Sequence, residues 1–368
     1  MACAENGDDV VIATGPDLCG RAEAAGLATQ PVGTGIGDWW PELARRAGGE
    51  PGDGLPADRI LAYFVPRLFA EIAAQSMIDG LVDAARGADL LVFESYTFAG
   101  PLAAAIAGIP AVHHLLGPGL PLEAMGLAGD AVSPLWRTWK LDRRPFGGSY
   151  AVPTLSICPP VLGTGAIPEG TTVIPLRHVA LDATGSEHLP GWLDELAPHP
   201  TVYVTLGTVT NRDTSVFGAV LDGLVDEPVN VVITVGEDND PAMLGELPAN
   251  ARAERYIPQS LLLPRCAAVI SHGGSGTMLS TLSHGLPHLM IPQGADQYVN
   301  AEVCLKAGVA HRLLPDEVRP DAVRNLTRLM LQDPSMGGPV VVARDEIEAL
   351  PPPGDVAARL RQYASDPH

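Results

Sequence analysis

The stretch Ala267-Ala268-Val269-Ile270-Ser271-His272-Gly273-Gly274-Ser275-Gly276-Thr277 decides how this chain is read. Its uncharged start, rich in small and β-branched residues, reads as a strand covered on both faces. The glycines that follow read as a turn, and the residues Gly276–His284 after them read as a helix. The first amides of a helix have no partner within it, and the helix dipole is positive there, so such a turn suits an anion. Strand-to-helix turns are also glycine-rich for packing alone. Taken by itself the turn leaves phosphate binding and packing open.

Working outward, the same strand–helix alternation recurs on both sides. In the second half the strand-like runs are Thr201–Leu206, Asn230–Val235, Ala267–Ser271 and His288–Ile291, with helical stretches near Val216–Val225 and Gln297–Ala307. In the first half they are Asp9–Thr14, Asp89–Glu94, Ala111–Leu116 and Thr171–Leu176, with helices expected over Leu61–Ala85 and Phe98–Ala107. Non-alternating apolar strands separated by helices predict an α/β protein with two doubly wound, Rossmann-like sheets. The Gly- and Pro-rich stretch between the two series divides the chain into a first domain at 1–182, a linker at 183–200 and a second domain at 201–368. A further irregular stretch, Gly117–Ala151, reads equally as a binding loop or as a surface excursion.

Composition narrows the class. The chain has 368 residues, 46% hydrophobic and 18% charged, enough for two cores. No uninterrupted apolar run reaches the ~18 residues of a membrane span, and Met1 to Asp9 has no basic region followed by an apolar one. The expectation is a cytoplasmic protein. Cysteines at 3, 19, 158, 266 and 304 form no CxxC pair and fit reduced thiols better than disulfides or zinc. A net charge of −20 argues against nucleic acid or an anionic membrane as partner. In so acidic a chain, with Lys140 and Lys306 the only lysines, a bound diphosphate is expected to be held by backbone amides and neutral side chains rather than by lysine clusters.

The surroundings of the glycine turn sharpen it. Gln259, in Tyr256-Ile257-Pro258-Gln259, stands thirteen residues before His272, and Asp296-Gln297, closing Pro292-Gln293-Gly294-Ala295-Asp296-Gln297, begins twenty-four residues after it. Together with the strand-end Thr205-Leu206-Gly207-Thr208, this pattern resembles the nucleotide-sugar signature of GT-B glycosyltransferases. It is most similar to the bacterial natural-product enzymes related to plant UDP-glycosyltransferases. The resemblance covers nearly the whole chain and implies two Rossmann-like domains facing a central cleft. It implies that Tyr256, where the family usually has Trp, stacks on the base, with Ile257 and Gln259 beside the nucleoside. Thr208 and His272 would face the diphosphate, Gly274, Ser275, Gly276 and Thr277 would cradle it, and Asp296 and Gln297 would bind the sugar's hydroxyls. Local packing or capping is the alternative for Ser275 and Thr277. Three residues after Thr277, UDP-sugar enzymes of the family carry a Glu that grips the ribose hydroxyls, and this chain has Ser280. A deoxyribose lacks the 2′-hydroxyl, so a TDP-deoxysugar is the expected donor.

The family's reaction, an inverting transfer to a hydroxyl without metal or other cofactor, needs a base for the acceptor's proton. Histidine suits that step because it titrates near neutrality. In the family that His follows the very first strand. Here Ala2 to Thr14 matches the end of the next helix and the second strand, with Asp8 where the His of a Gly-His pair is usual. The first strand and His loop, roughly twenty residues, are therefore expected to be absent. A truncated start, a different base, or a donor-binding auxiliary protein without transfer activity all remain open, as does a nucleotide-sugar epimerase. Among other bases Glu94 is the first choice, because it ends a strand where a carboxylate faces the open end of an α/β sheet. An N-cap role is its alternative. Tyr96, His113 and Trp136 are candidate contacts for a bulky apolar natural-product acceptor, and a homodimer is left open. Asp238-Asn239-Asp240 and His284/His288 imitate metal motifs, but a polar turn and the helix breakers Gly285 and Pro287 argue against a metal at either.

Overall fold

The computed structural model describes all residues except 53, 164–166, 181, 183–187, 208–213, 333 and 366–368. The chain divides into two compact units. The first comprises Met1–Ile157, Thr164–Arg177 and Pro351–His368; the second comprises Cys158–Gly163 and His178–Leu350.

The first unit contains β1 (Val11–Thr14), β2 (Ala28–Pro31), β3 (Leu91–Glu94), β4 (Ala111–His114), β5 (Thr154–Ser156) and β6 (Val173–Pro175). All pairings are parallel, but the strands form two sheets, β1-β2 and β3-β4-β5-β6. Among the described residues, strands β1 and β3 are each paired along one side only. Their Val11 and Val92 are 51% and 47% exposed, unusual for parallel strands, which are normally covered on both faces. The sequence reading missed β2 and β5 because neither is an apolar run: Ala28-Thr29-Gln30-Pro31 and Thr154-Leu155-Ser156 carry almost no hydrophobic signal.

Two segments depart from expectation for identifiable reasons. Leu61–Ala85 is helical as expected, but it is α-helical over Ile60–Phe64, π-helical over Val65–Ala73 and α-helical again over Ala74–Ala85. Pro66 has no amide to donate and its ring crowds the carbonyl four residues earlier, a clash that the wider turn relieves. Gly117–Ala151 contains a regular helix, Leu122–Thr138, instead of a loop throughout. Its Met125, Ala128, Val132 and Trp136 are buried at three- and four-residue spacing. Pro134 and two glycines disguise that pattern. Gly129 is needed there, since a Cβ would lie 2.6 Å from the Gly147 backbone nitrogen.

The second unit is one six-stranded parallel sheet of β7 (Thr201–Thr205), β8 (Asn230–Thr234), β9 (Ala251–Glu254), β10 (Ala268–Ser271), β11 (His288–Met290) and β12 (Ala310–Arg312). Its order is β12-β11-β10-β7-β8-β9. Side chains alternate between two cores: Val202 and Val204 meet Phe217, Val220 and Leu224 on one face, while Tyr203 meets Leu262 and Leu263 on the other. Fully burying each such aliphatic or aromatic side chain contributes about 1.5–3 kcal/mol. The Tyr203 hydroxyl, buried with its ring, lies 2.7 Å from Thr234 Oγ1.

The chain crosses between the units more often than expected. The sequence reading kept 351–368 with the second half, but helix Pro353–Ser365 packs Val356 and Leu360 against Val112, Leu155 and Ile174 of the first. In return, Val161 donates its amide to Glu346 Oε2 (2.6 Å) within the second. The expected linker overlaps residues outside the described set, but its end is folded: Leu193 is buried beside Tyr203, and Asn230 Nδ2 donates to Ala197 and His199 carbonyls. All five cysteines are unpaired. No helix among the described residues is long and apolar enough to cross a membrane.

Two strand histidines give the fold a pH dependence. His113, on β4, stacks on Phe93 and meets Ser95 Oγ at 3.2 Å, and burial, aided by His114, lowers its pKa to about 4. Burial, aided by His272, lowers that of His288 to about 3. Unfolded, both titrate near the usual value of about 6.5. Between those values the unfolded chain binds more protons, so their stabilisation is complete above about 6.5 and is lost as pH falls toward 4 and then 3. Melting temperatures measured from pH 7 to pH 5 should decline steadily. A flat profile across that window would show that these imidazoles are not held neutral.

Candidate functional site

The winding of the second sheet places the site. From β7 the chain moves outward through β8 and β9, then returns to lay β10 on the opposite side of β7 and continues outward to β12. The turns after β7 and β10 therefore diverge at the sheet's switch point, where open α/β sheets leave a crevice beyond the strand ends. Gly207 follows β7, and His272-Gly273-Gly274 follows β10.

After β10 the chain enters helix Ser275–Ser283 through Gly274, which has no side-chain cap. The first helical bond runs from the Met278 amide to the Gly274 carbonyl (2.9 Å), so the amides of Ser275, Gly276 and Thr277 have no helical acceptor. The His272 ring packs beside Gly274, at the entry to this helix. A Cβ on Gly207 would lie 2.6 Å from its Nε2, and a Cβ on Gly274 would lie 2.5 Å from it. Only glycine on both sides leaves room for the ring. Burial pushes the His272 pKa down to about 4 although Asp296 pulls it upward, so the imidazole is neutral near pH 7. Its Nδ1 is buried with no hydrogen-bond partner among the described residues.

The other predicted residues of the second unit gather around this turn. Gln259 Nε2 donates to Thr277 Oγ1 (3.1 Å), joining the Tyr256–Gln259 segment to the helix start. Tyr256 is 40% exposed, and its hydroxyl donates to the Asp182 carbonyl (2.6 Å). The Ile257 side chain is buried in the core, leaving only its backbone for a ligand. Asp296 Oδ2 accepts from Ser275 Oγ (2.7 Å) and Asn300 Nδ2 (2.9 Å). Gln297 Oε1 accepts the Gln293 and Gly294 amides at 2.7 and 3.0 Å, so its carbonyl end shapes the loop before it. That loop contains Ala295 at a φ of 52°, a strained left-handed position just ahead of Asp296. Thr208 lies outside the described residues. Ser280 is buried, with its Oγ 3.3 Å from His178 Nε2.

Asn300, Ser271 and His288 are members of the site that the sequence reading missed. Asn300 is 1% exposed and donates to the Gly273 carbonyl (2.9 Å) as well as to Asp296. Its position four residues after Asp296 on one helix was a readable signal, because such pairs share a face. Ser271 Oγ accepts the Gly273 amide (3.0 Å) and lies 2.7 Å from His288 Nε2. Nothing in the sequence marks that pair.

In the first unit the predicted residues are less concentrated. Glu94 ends β3, and its Oε2 and Oε1 accept the Tyr96 amide (2.8 Å) and the Thr97 hydroxyl (2.5 Å). Burial raises its pKa against those two bonds. Tyr96 stacks on Phe69 at 4.3 Å. His113 and Trp136 are 0% and 1% exposed, so both rings are wall material of the unit's interior with no surface to offer an acceptor. The residues of the metal-like motifs make local hydrogen bonds. Asp240 caps a short helix through the Ala242 amide (3.0 Å), Asn239 donates to the Val235 carbonyl, and His284 Nδ1 lies 2.8 Å from the Ser280 carbonyl.

Comparison with known proteins agrees with this arrangement over both halves. Residues 61–207 match the family model for the N-terminal domain of erythromycin biosynthesis protein CIII-like proteins, and residues 218–363 match the model for their C-terminal domain. The aclacinomycin-T 2-deoxy-L-fucose transferase of Streptomyces galilaeus is 30% identical, over 98% of this chain and 90% of its own length. The 10-deoxymethynolide desosaminyltransferase of Streptomyces venezuelae is 29% identical over 98% and 91%. Among solved structures, the glycosyltransferase SnogD of Streptomyces nogalater superposes with a TM-score of 0.76 at 30% identity, covering 98% of this chain and 93% of SnogD. The glycosyltransferase VinC, solved in complex with dTDP, gives 0.72 at 27% identity, covering 99% and 94%. The chain therefore belongs to the erythromycin biosynthesis protein CIII-like family of antibiotic glycosyltransferases and has their GT-B fold.

Proposed function

We propose that this glycosyltransferase moves a deoxysugar from a TDP-sugar to a hydroxyl of an apolar natural-product acceptor, with inversion at the anomeric carbon and without a metal. The observation that carries the donor half is the unclaimed helix start at the switch point, with neutral His272 seated between two glycines in front of it. Backbone amides and the helix dipole supply positive potential without any lysine. The relatives point the same way: they transfer sugars such as desosamine and 2-deoxy-L-fucose, and VinC binds dTDP.

In this reading the thymine base rests against Tyr256, and the diphosphate oxygens accept from Ser275, Gly276, Thr277 and an N–H of His272. The free Oδ1 of Asp296 takes a sugar hydroxyl, its Oδ2 being held by Ser275 and Asn300. As the acceptor oxygen attacks, the bond from the anomeric carbon to the diphosphate breaks, and negative charge develops on the leaving phosphate. Fixed donors aimed at that charge stabilise the transition state more than the ground state. Glu94 is the candidate base within the described residues. Its raised pKa makes the carboxylate a better proton acceptor than an exposed one.

Replacing His272 with Ala should lower kcat/KM for a TDP-sugar about 10²-fold or more while leaving the melting temperature in place. Turnover equal to wild type would remove His272 from the site. For the nucleotide, calorimetric titration should show TDP binding more tightly than UDP, because Ser280 offers no carboxylate to a ribose 2′-hydroxyl. UDP binding as tightly as TDP would contradict the deoxynucleotide assignment.

A further inference from the structure

A pair of buried polar residues lies directly beneath the diphosphate turn, and no step of the transfer uses it. Ser271 is the last residue of β10 and His288 the first of β11, at 0% and 1% exposure. Ser271 Oγ sits 2.7 Å from His288 Nε2 and accepts the Gly273 amide at 3.0 Å. His288 Nδ1 is buried and has no partner among the described residues. An apolar pair would fill this space without stranding a ring nitrogen. His113 and His272 strand a ring nitrogen too, so the meaning of the pair lies in what the opposite nitrogen does.

Gly273 shows what that is. Its φ is 82°, and a Cβ there would lie 2.6 Å from Met290 Cε. Its amide is held from below by Ser271, and its carbonyl is held from the side by Asn300 Nδ2 (2.9 Å). The C=O and N–H of one trans peptide point in opposite directions. With the Gly273 carbonyl turned toward Asn300, the Gly274 amide on the same peptide faces the other way. The two anchors together stop the flanking peptides from rotating about the otherwise permissive glycine.

We infer that Ser271 and His288 are positioning residues for donor binding: the imidazole orients the Ser271 hydroxyl, and the hydroxyl fixes the Gly273 peptide. The Gly274 amide then joins those of Ser275–Thr277 as a ready-made diphosphate cradle. This rests on the donor reading above. The pair touches no substrate and acts only through the backbone of the turn.

The test compares two ligands that share a nucleoside. TDP is titrated by calorimetry and thymidine by NMR, against wild type, Ser271→Ala, His288→Leu, His288→Gln and the Ser271→Ala/His288→Leu double variant. Each loss should weaken TDP about tenfold, the scale of one buried hydrogen bond to the turn, with thymidine affinity unchanged. The double variant should be no worse than Ser271→Ala alone, because both act through one bond. His288→Gln, which keeps a polar end toward Ser271, should fall nearer wild type than His288→Leu. If Ser271→Ala does not fold, the two His288 variants carry the comparison. Unchanged TDP affinity in folded variants overturns the inference, and so does equal weakening of TDP and thymidine, which would mark a general packing role. Wild-type protein that binds thymidine and TDP alike would instead overturn the diphosphate reading, and this inference with it.

Discussion

Strands β7 and β10 lie side by side, yet the chain leaves them in opposite directions across the sheet. Two loops must therefore part above that junction, and one of them opens a helix whose first amides have no internal acceptor. Everything legible about the site follows from that constraint. Glycine is required at 207 and at 274 because the His272 ring occupies the space their side chains would take. Asn300 and Asp296 are required in turn to hold the far side of the same loop. The six-stranded sheet supplies rigidity, with its central strands buried on both faces.

Electrostatics constrains the chemistry as firmly as topology does. A chain of net charge −20 repels a nucleoside diphosphate at long range. A diphosphate bound to such a chain needs attraction at short range, where little solvent screens it. A helix start with three amides unclaimed among the described residues and a desolvated neutral imidazole offers such attraction without lysine.

The clustering of residues around the turn after β10 was legible because its motifs are strings of chemically restrictive residues: a glycine turn, a Pro-Gln and an Asp-Gln at fixed distances. The supporting residues were not, because their meaning depends on neighbours distant in sequence. His288 reads as half of a failed metal pair, and only the pairing of β10 with β11 reveals Ser271 as its partner. Strands β5, β9 and β12 escaped for want of an apolar run, since edge and short strands such as Ala251-Arg252-Ala253-Glu254 carry little hydrophobic signal. Helix Leu122–Thr138 was hidden by Pro134 and its glycines, and the return of helix Pro353–Ser365 to the first unit has no local signature at all. On the acceptor side, aromatic residues suggested a binding wall, but Trp136 turned out to be core. An aromatic ring on one helix face has the same pattern in either role.

The central claim is that the helix start after β10 holds the donor's diphosphate. A crystal structure of the protein with TDP tests it most directly. The account predicts phosphate oxygens within hydrogen-bonding distance of the Ser275, Gly276 and Thr277 amides and of the His272 ring, with the thymine against Tyr256. A diphosphate bound elsewhere, making no contact with those amides, would contradict it.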